Sequence, residues 1–273
     1  MSDISNLQDR VEIAKKAIQK AGEYLVEEYQ KRTYLDSNAD TTKNISIGAD
    51  KISEKIITQF IINTFPEDSI ISEESRMQKK SNDYTWIIDP LDGTSNFSMG
   101  ISYFGICISI YLKKTIQYAV IYNPLLNEIT EGSKEMGVYH GDKKMVMSNE
   151  CNKLKYVGFY IQGYGISDDE HLSNYSNLVG ISKRICTTWA PSLDWVLLLR
   201  GGADYIVTYE TEREDFLAGA FLYSLAGGKI ITWSGKEFNF ELNQVENRVT
   251  TIAANPTVIM EIQSKLKLMQ ERD

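Results

Sequence analysis

The segment Trp86–Phe97, WIIDPLDGTSNF, runs an apolar stretch into an aspartate and places a second aspartate three residues later, before Gly-Thr. Pro90 restricts Asp89 to extended geometry and removes one backbone donor. Asp92-Gly93 is a sharp turn signal, and Thr94, Ser95 and Asn96 would start a helix with backbone donors beside both carboxylates. Such a turn could hold a metal ion and a phosphate side by side. The same residues also satisfy a plain Asx-turn followed by a helix cap. Two strand-terminal carboxylates on one turn repel each other, however, and a divalent cation would remove that cost.

Further acidic residues stand at the ends of expected elements. Glu73 and Glu74 follow an apolar run in IISEES, where each taken alone reads as a solvated loop residue. Asp215 lies in TYETEREDFLAGAF, in which Thr211 and Glu214 fit a capping box and Asp215 suits the helix dipole. Asp50 opens a helical pattern, and an N-terminal cap is its simplest role. None of these positions has a His or Cys partner, and His140 and His171 show no ligand spacing. Oxygen-only ligation suits magnesium rather than structural zinc. Two such ions about 4 Å apart could orient a water and stabilise the leaving oxygen of a phosphate ester.

The elements that must position these carboxylates follow from periodicity. Leu7, Val11, Ala14, Ile18, Ala21 and Leu25 predict an amphipathic helix ending near Tyr29. A polar connection, TYLDSNADTTKN, leads to a second helix that begins at Asp50 and stops at Phe65-Pro66. SIISEES and YTWIIDP read as strands ending in carboxylates. From Tyr103 to about Val146, short β-prone runs separated by Lys-Lys, Asn-Pro, Gly-Ser and Gly-Asp predict an antiparallel meander. Beyond a polar link near Ser148–Asn152, strands alternate with helices, and Pro256 is placed to open the last helix. The expected class is a layered α/β (α+β) fold, with an antiparallel sheet in the N-terminal half and a mixed or parallel sheet in the C-terminal half. Two tightly packed lobes are expected, residues 1–150 with most of the acidic ends and 151–273 with Asp215.

Composition narrows the partners. The 273 residues are 42% hydrophobic and 24% charged, an ordinary globular balance. A net charge of −8 without a basic block argues against a nucleic acid polymer as partner, and any anionic substrate needs metal ions or backbone donors to offset that field. The polar N-terminus is unlike a signal peptide and the apolar runs are too short to span a bilayer, so no membrane partner and a cytoplasmic location are expected. Cys107, Cys151 and Cys186 form no close pair, which argues against a disulfide framework.

WIIDPLDGTSNF, with ISEES upstream and EDFLAGAFLYSLAGG downstream, resembles the inositol monophosphatase family of magnesium-dependent, lithium-sensitive phosphatases. The order of motifs is similar over nearly the whole chain. The resemblance implies an αβαβα sandwich of the sugar phosphatase type, a homodimer, and about two or three magnesium ions per subunit. It implies hydrolysis of a small phosphorylated polyol, sugar or nucleotide by in-line attack of a metal-activated water. An inositol monophosphate-like ester leads, with fructose 1,6-bisphosphate and 3'-phosphoadenosine 5'-phosphate as alternatives; a non-catalytic phospholigand-binding protein is the rival of another class. Glu73, Asp89, Asp92, Asp215 and the Leu91 backbone carbonyl would ligate metal. Gly93 and Thr94 would bind phosphate, and Asp50, Thr94 and Glu73 would be catalytic. Asp92, Thr188, Trp189, Thr208, Glu210 and Asp215 would line the substrate pocket.

The chain also departs from the family pattern. Asn44 and Ile47 in NISIGAD replace an aspartate and a threonine, although Asp50 is kept. Glu214 stands where a tryptophan is usual, and Thr208 where inositol-preferring members carry glutamate, a role that Glu210 or Glu212 could take. TTWAPSLDW replaces G-S-A-A-L-D, so Trp189 and Pro191 alter the pocket. Trp189 would stack on a base or sugar face, or else be a buried aromatic at a helix entry.

Overall fold

The computed structural model describes residues 2–32, 40–72, 83–147, 156–165 and 168–270. Two long helices, α1 (Ser2–Arg32) and α2 (Asp40–Thr64), precede the strands β1 (Ser69–Ser72) and β2 (Tyr84–Asp92) and the short helix α3 (Thr94–Met99). A meander follows: β3 (Gly105–Leu112), β4 (Thr115–Asn123), β5 (Glu128–Ser133), β6 (Gly137–His140) and β7 (Lys143–Met145). These strands form one seven-stranded sheet in sequence order, parallel between β1 and β2 and antiparallel elsewhere.

The second half alternates strand and helix: β8 (Val157–Gln162), α4 (Asp169–Ile181), β9 (Arg184–Cys186), α5 (Pro191–Leu199), β10 (Tyr205–Glu212), α6 (Arg213–Leu225), β11 (Lys229–Thr232), β12 (Arg248–Ala254) and α7 (Pro256–Gln270). Its five strands are ordered β11-β12-β10-β8-β9. β8 is parallel to β9 and β10, whereas β12 is antiparallel to β10 and β11, which makes this sheet mixed.

Strand alternation builds the layers. Trp86, Ile88, Ile108 and Val120 face Ala14, Ile18 and Ile57 of α1 and α2. Their neighbours Ile87, Cys107, Ala119 and Ile121 face the opposite way, into a core with Trp195 of α5, Phe216 and Phe221 of α6, and Phe159 and Ile206 of the second sheet. The far side of that sheet, Tyr160, Tyr205, Val207 and Ile252, packs on Leu178 of α4 and Ile259 of α7. The result is an αβαβα stack. Its central helices touch both sheets, and α6 accommodates this with Gly219, where a Cβ would lie 2.3 Å from Trp195 Cγ.

One buried ion pair fixes α1 to the entry of β1. Arg10 donates through Nε and Nη2 to the two carboxylate oxygens of Asp68, at 2.7 Å each. Trp86 Nε1 donates to Asp68 at 2.8 Å, and the guanidinium lies over the rings of Tyr84 and Phe65.

Three local expectations are corrected. α1 continues to Arg32, past Tyr29. α2 begins at Asp40, so the end of the threonine-rich connection is helical and Asp50 lies inside the helix rather than capping it. The capping box at Thr211 does not form: β10 stays paired with β12 as far as Glu212 and Arg248, and Thr211 Oγ1 donates to the Ile161 carbonyl instead. The N-cap of α6 is Glu212, without a side-chain capping bond. Among the described residues, no helix is long and apolar enough to cross a membrane.

Candidate metal centre

β2 delivers two carboxylates because its pairing with β3 breaks at the proline. Asp89 is opposite Cys107 and Asp92 opposite Gly105, with a bulge between them at Pro90-Leu91. The Pro90 carbonyl accepts from Ser53 Oγ of α2 at 2.7 Å, which ties the bulge to the helix carrying Asp50. Asp89 and Asp92 are buried. Asp215 comes from the first turn of α6 and is half-buried. Each of the three carboxylates offers an oxygen, and these atoms lie within 4.8 Å of one another.

The Asx-turn is real as well: Asp89 Oδ1 accepts from the Leu91 N–H at 3.0 Å. One oxygen of Asp89 therefore shapes the turn while the residue sits in the carboxylate cluster. Asp92 is held from the other half of the chain. Its Oδ2 accepts from the Ser192 N–H at 2.8 Å and from the Ser192 hydroxyl.

Around this cluster, Thr94 Oγ1 lies 2.9 Å from the Leu91 carbonyl oxygen and 3.5 Å from Asp50 Oδ1. Gly93 caps α3 at φ 89, a left-handed conformation, and a Cβ there would lie 3.0 Å from Ala190 Cβ and 3.1 Å from the Tyr103 carbonyl oxygen. No side chain caps α3, so its first turn keeps the donors expected from sequence.

The electrostatics register the concentration of charge. Burial first, then Asp89, Asp92 and Asp215, pushes the Cys107 thiol well above its ordinary range. Cys107 Sγ donates to the Glu214 carbonyl at 3.4 Å, on the helix that carries Asp215. Asp194 is pushed up to about 8 by burial, partly opposed by hydrogen bonds from Thr188 and Tyr103 and reinforced by Asp92.

The expected pocket residues fall into different environments. Thr188 is on the site side: its carbonyl accepts from Asn96 Nδ2 at 2.6 Å, and its hydroxyl donates to Asp194 Oδ1 at 2.5 Å. Trp189 is 54% exposed at φ 58, so the buried-aromatic reading is overturned: a left-handed backbone turns the ring outward. Thr208 is fully buried in β10, its hydroxyl shared with Thr251. Glu210 lies at φ 50 in the bulge of β10, and its Oε1 accepts from Thr250 Oγ1 at 3.3 Å. Glu73 and Glu74 lie outside the described residues, immediately beyond Ser72 at the end of β1.

Sequence reasoning missed Ser192 and Asp194. The usable signal was Pro191: proline at the first helical position leaves the next N–H among the unpaired donors of a helix start, and here that donor is Ser192.

A model of the inositol monophosphatase family matches residues 6–267. The chain belongs to the inositol monophosphatase family. A Nus factor SuhB of Pasteurella multocida is 26% identical over 259 residues, covering 93% of this chain and 94% of that protein. A fructose-1,6-bisphosphatase/inositol-1-monophosphatase of Aquifex aeolicus is 28% identical over 243 residues, covering 86% and 89%. In fold, the crystal structure of extragenic suppressor protein suhB from Bartonella henselae aligns with a TM-score of 0.79 at 23% identity, over 95% of this chain and 99% of that one.

For an inositol monophosphatase family member, the group to test against the site is a divalent cation, and the donor set fits one. Among the described residues, the converging group consists of three carboxylates, all oxygen ligands, two of them buried where mutual repulsion is least screened by water.

Proposed function

We propose that the protein is a magnesium-dependent phosphomonoesterase that releases phosphate from a small polyol, sugar or nucleotide ester, with an inositol monophosphate-like compound as its leading substrate class. The convergence of Asp89, Asp92 and Asp215 beside the Gly93 turn carries this reading. Asp89, Asp92, Asp215 and the Leu91 carbonyl would hold magnesium, with Glu73 as the further ligand expected from the family motif. Bound magnesium supplies neutralisation of phosphate charge and Lewis acidity at the leaving oxygen.

The chain's own groups do the rest. Gly93 takes the left-handed turn packed against Ala190 and Tyr103, from which the first donors of α3 would face a phosphate. Thr94 has a single hydroxyl proton and two candidate acceptors, Leu91 O and Asp50 Oδ1. Donating to Asp50 releases the Leu91 carbonyl for a cation and leaves the Thr94 oxygen to accept from a water, orienting it for in-line attack. Asp50, inside α2 and tied to the bulge through Ser53, would be the base that withdraws that proton density.

Lithium sensitivity, a cytoplasmic location and a homodimer are part of the same proposal, carried by family membership. Fructose 1,6-bisphosphate and 3'-phosphoadenosine 5'-phosphate stand as further substrates for testing. The rival, a phospholigand-binding protein without turnover, would be favoured by loss of a carboxylate; Asp89, Asp92 and Asp215 are all retained. Phosphate release is to be measured on a panel of inositol, sugar and nucleotide esters, with and without Mg2+, for the native protein and Asp89→Asn. Turnover that survives both magnesium removal and the substitution would sink the mechanism.

A further inference from the structure

We infer that Glu54 is a positioning residue of the metal centre: across one buried water it holds the hydroxyl of Ser72, and so clamps the end of β1 to α2 beside the carboxylate turn. The inference deepens the phosphatase reading and rests on it for what the clamp serves.

The first observation is a pair of buried polar atoms. Glu54 is 8% exposed and Ser72 5%. Glu54 Oε2 and Ser72 Oγ are shielded from solvent, and neither has a hydrogen-bond partner among the described residues. A carboxylate oxygen accepts, whereas a hydroxyl has one proton to donate. Burying either without a bond costs free energy, and native interiors meet that cost with a protein partner or an ordered water. One water that accepts from Ser72 and donates to Glu54 satisfies both.

The second observation places the two atoms in one layer. Ile70, two residues before Ser72, packs with Ile57 and Ile88 on the side of the sheet that faces α1 and α2. Strand alternation puts the Ser72 side chain on that side too. Ser72 is also the partner of Ile88 in the parallel ladder between β1 and β2. On α2, Glu54 follows Ser53, which donates to the Pro90 carbonyl, and comes about one turn before Ile57. Glu54 is therefore level with the stretch of β2 from Ile88 to Pro90, and Ser72 lies beside that stretch.

The third observation decides the side. Lys20, Ile56 and Phe60 line the groove between α1 and α2. Successive residues turn by about 100° around a helix, so Glu54, two before Ile56, leaves α2 on the flank away from α1. α1 packs over β3 and β4, and the sheet order puts β1 on the other side of β2. The flank of α2 that carries Glu54 is thus the flank above β1.

Adjacent residues of one helix then grip adjacent strands: Ser53 holds β2 through the Pro90 carbonyl, and Glu54 holds β1 through Ser72. Asp89 follows Ile88 in β2. Glu73, the further ligand expected from the family motif, follows Ser72 in sequence. The clamp sets the spacing of the two strand ends that lead into these ligands, from the same helix that carries Asp50.

The test is a double-mutant cycle read in Mg2+ affinity, by calorimetry without ester. The proteins are the native chain, Ser72→Ala, Glu54→Ala, their double variant and Glu54→Gln. Groups that orient metal ligands typically change affinity by about 10–100-fold when removed. Each alanine variant should lose about tenfold, and the double variant no more than the weaker single, because both break one link. Glu54→Gln keeps an accepting oxygen and should recover most of the loss. Ile57→Val, which loosens the same layer, should lower Tm and leave the affinity unchanged. Additive losses, an unchanged affinity in Ser72→Ala, or affinity that follows Tm through Ile57→Val overturns the clamp. Ser72→Ala deletes a single hydroxyl and decides alone if Glu54→Ala does not fold.

Hydrogen exchange in EDTA gives a readout without metal. The amides of β1 should exchange faster in Ser72→Ala and in Glu54→Ala, and no faster still in the double variant. Coupled exchange with no Mg2+ binding and no turnover of any ester would remove the phosphatase reading and keep the link between α2 and β1. Turnover with uncoupled exchange and uncoupled affinity would keep the phosphatase and remove the clamp.

Discussion

Ser192 grips Asp92 twice, its backbone N–H at 2.8 Å and its hydroxyl both donating to the same carboxylate oxygen, Oδ2. The helix start of the C-terminal half thereby orients a proposed metal ligand carried by a strand of the N-terminal half. Partners that orient a metal ligand typically change metal affinity by about 10–100-fold when removed. Ser192→Ala keeps the N–H bond and loses the hydroxyl, so Mg2+ affinity by calorimetry should fall about tenfold with the fold retained. Gly105→Ala should act similarly, because a Cβ there would lie 2.9 Å from Ser192 Oγ.

Asp215 is the carboxylate contributed by α6, so Asp215→Asn separates metal binding from the integrity of the β2 turn. Magnesium should raise the Tm of the native protein, since a ligand that binds only the folded state stabilises it by mass action. That gain should vanish in Asp215→Asn, and kcat should drop at least about a hundredfold. An undiminished Tm gain would place the cation elsewhere.

Cys107 should be chemically silent. Reaction requires the thiolate, and burial together with Asp89, Asp92 and Asp215 keeps the thiol protonated. Iodoacetamide at pH 8 followed by mass spectrometry should modify the half-exposed Cys186 and leave Cys107 intact until the protein is unfolded.

Asp194 makes stability fall as pH rises. Its pKa of about 8 in the fold exceeds the ordinary carboxylate value near 3.9, so the folded state holds a proton that the unfolded chain releases. The stabilisation is complete below pH about 4 and is lost as pH rises through about 8. In EDTA, urea unfolding of the native protein should show a larger loss of stability between pH 5 and pH 8 than Asp194→Asn, which cannot titrate.

Arg10 closes a buried pair whose partner has no route to water. Arg10→Ala leaves Asp68 buried with only part of its hydrogen bonding, including that from Trp86. Removing one member of such a pair typically costs about 3–5 kcal/mol. Urea unfolding of Arg10→Ala should show a loss of that size, whereas an exposed pair such as Lys20 and Glu23 should be worth under about 1 kcal/mol.

What could be read from sequence was what neighbours in sequence decide. The β2 turn was legible because a proline, two carboxylates and a glycine act within five residues, and the Asx-turn and the acidic cluster both proved present. The layered fold was legible from strand alternation and helical periodicity. Asp50 was misplaced because Gly48, a poor helix former two residues before it, reads as a break, whereas α2 runs through it from Asp40. The capping box failed because pairing of Glu212 with Arg248, far along the chain, carried the strand past Thr211. Ser192 and Asp194 were invisible for the same reason: their partners Asp92 and Tyr103 lie 100 and 91 positions away. The outward turn of Trp189 is likewise set by its pinned neighbours, since tryptophan itself carries no preference for positive φ.

The span between Asp92 and Ser192 also has a consequence in time. Translation proceeds at about 5–20 residues per second, so Asp92 leaves the ribosome roughly 5–20 s before the residue that orients it. Through that interval the nascent chain carries its acidic turn without the serine clamp or the α6 carboxylate. The carboxylate cluster is therefore assembled only after α6 has been made, and a product ending before α5 would carry Asp89 and Asp92 without Asp215 or the serine clamp.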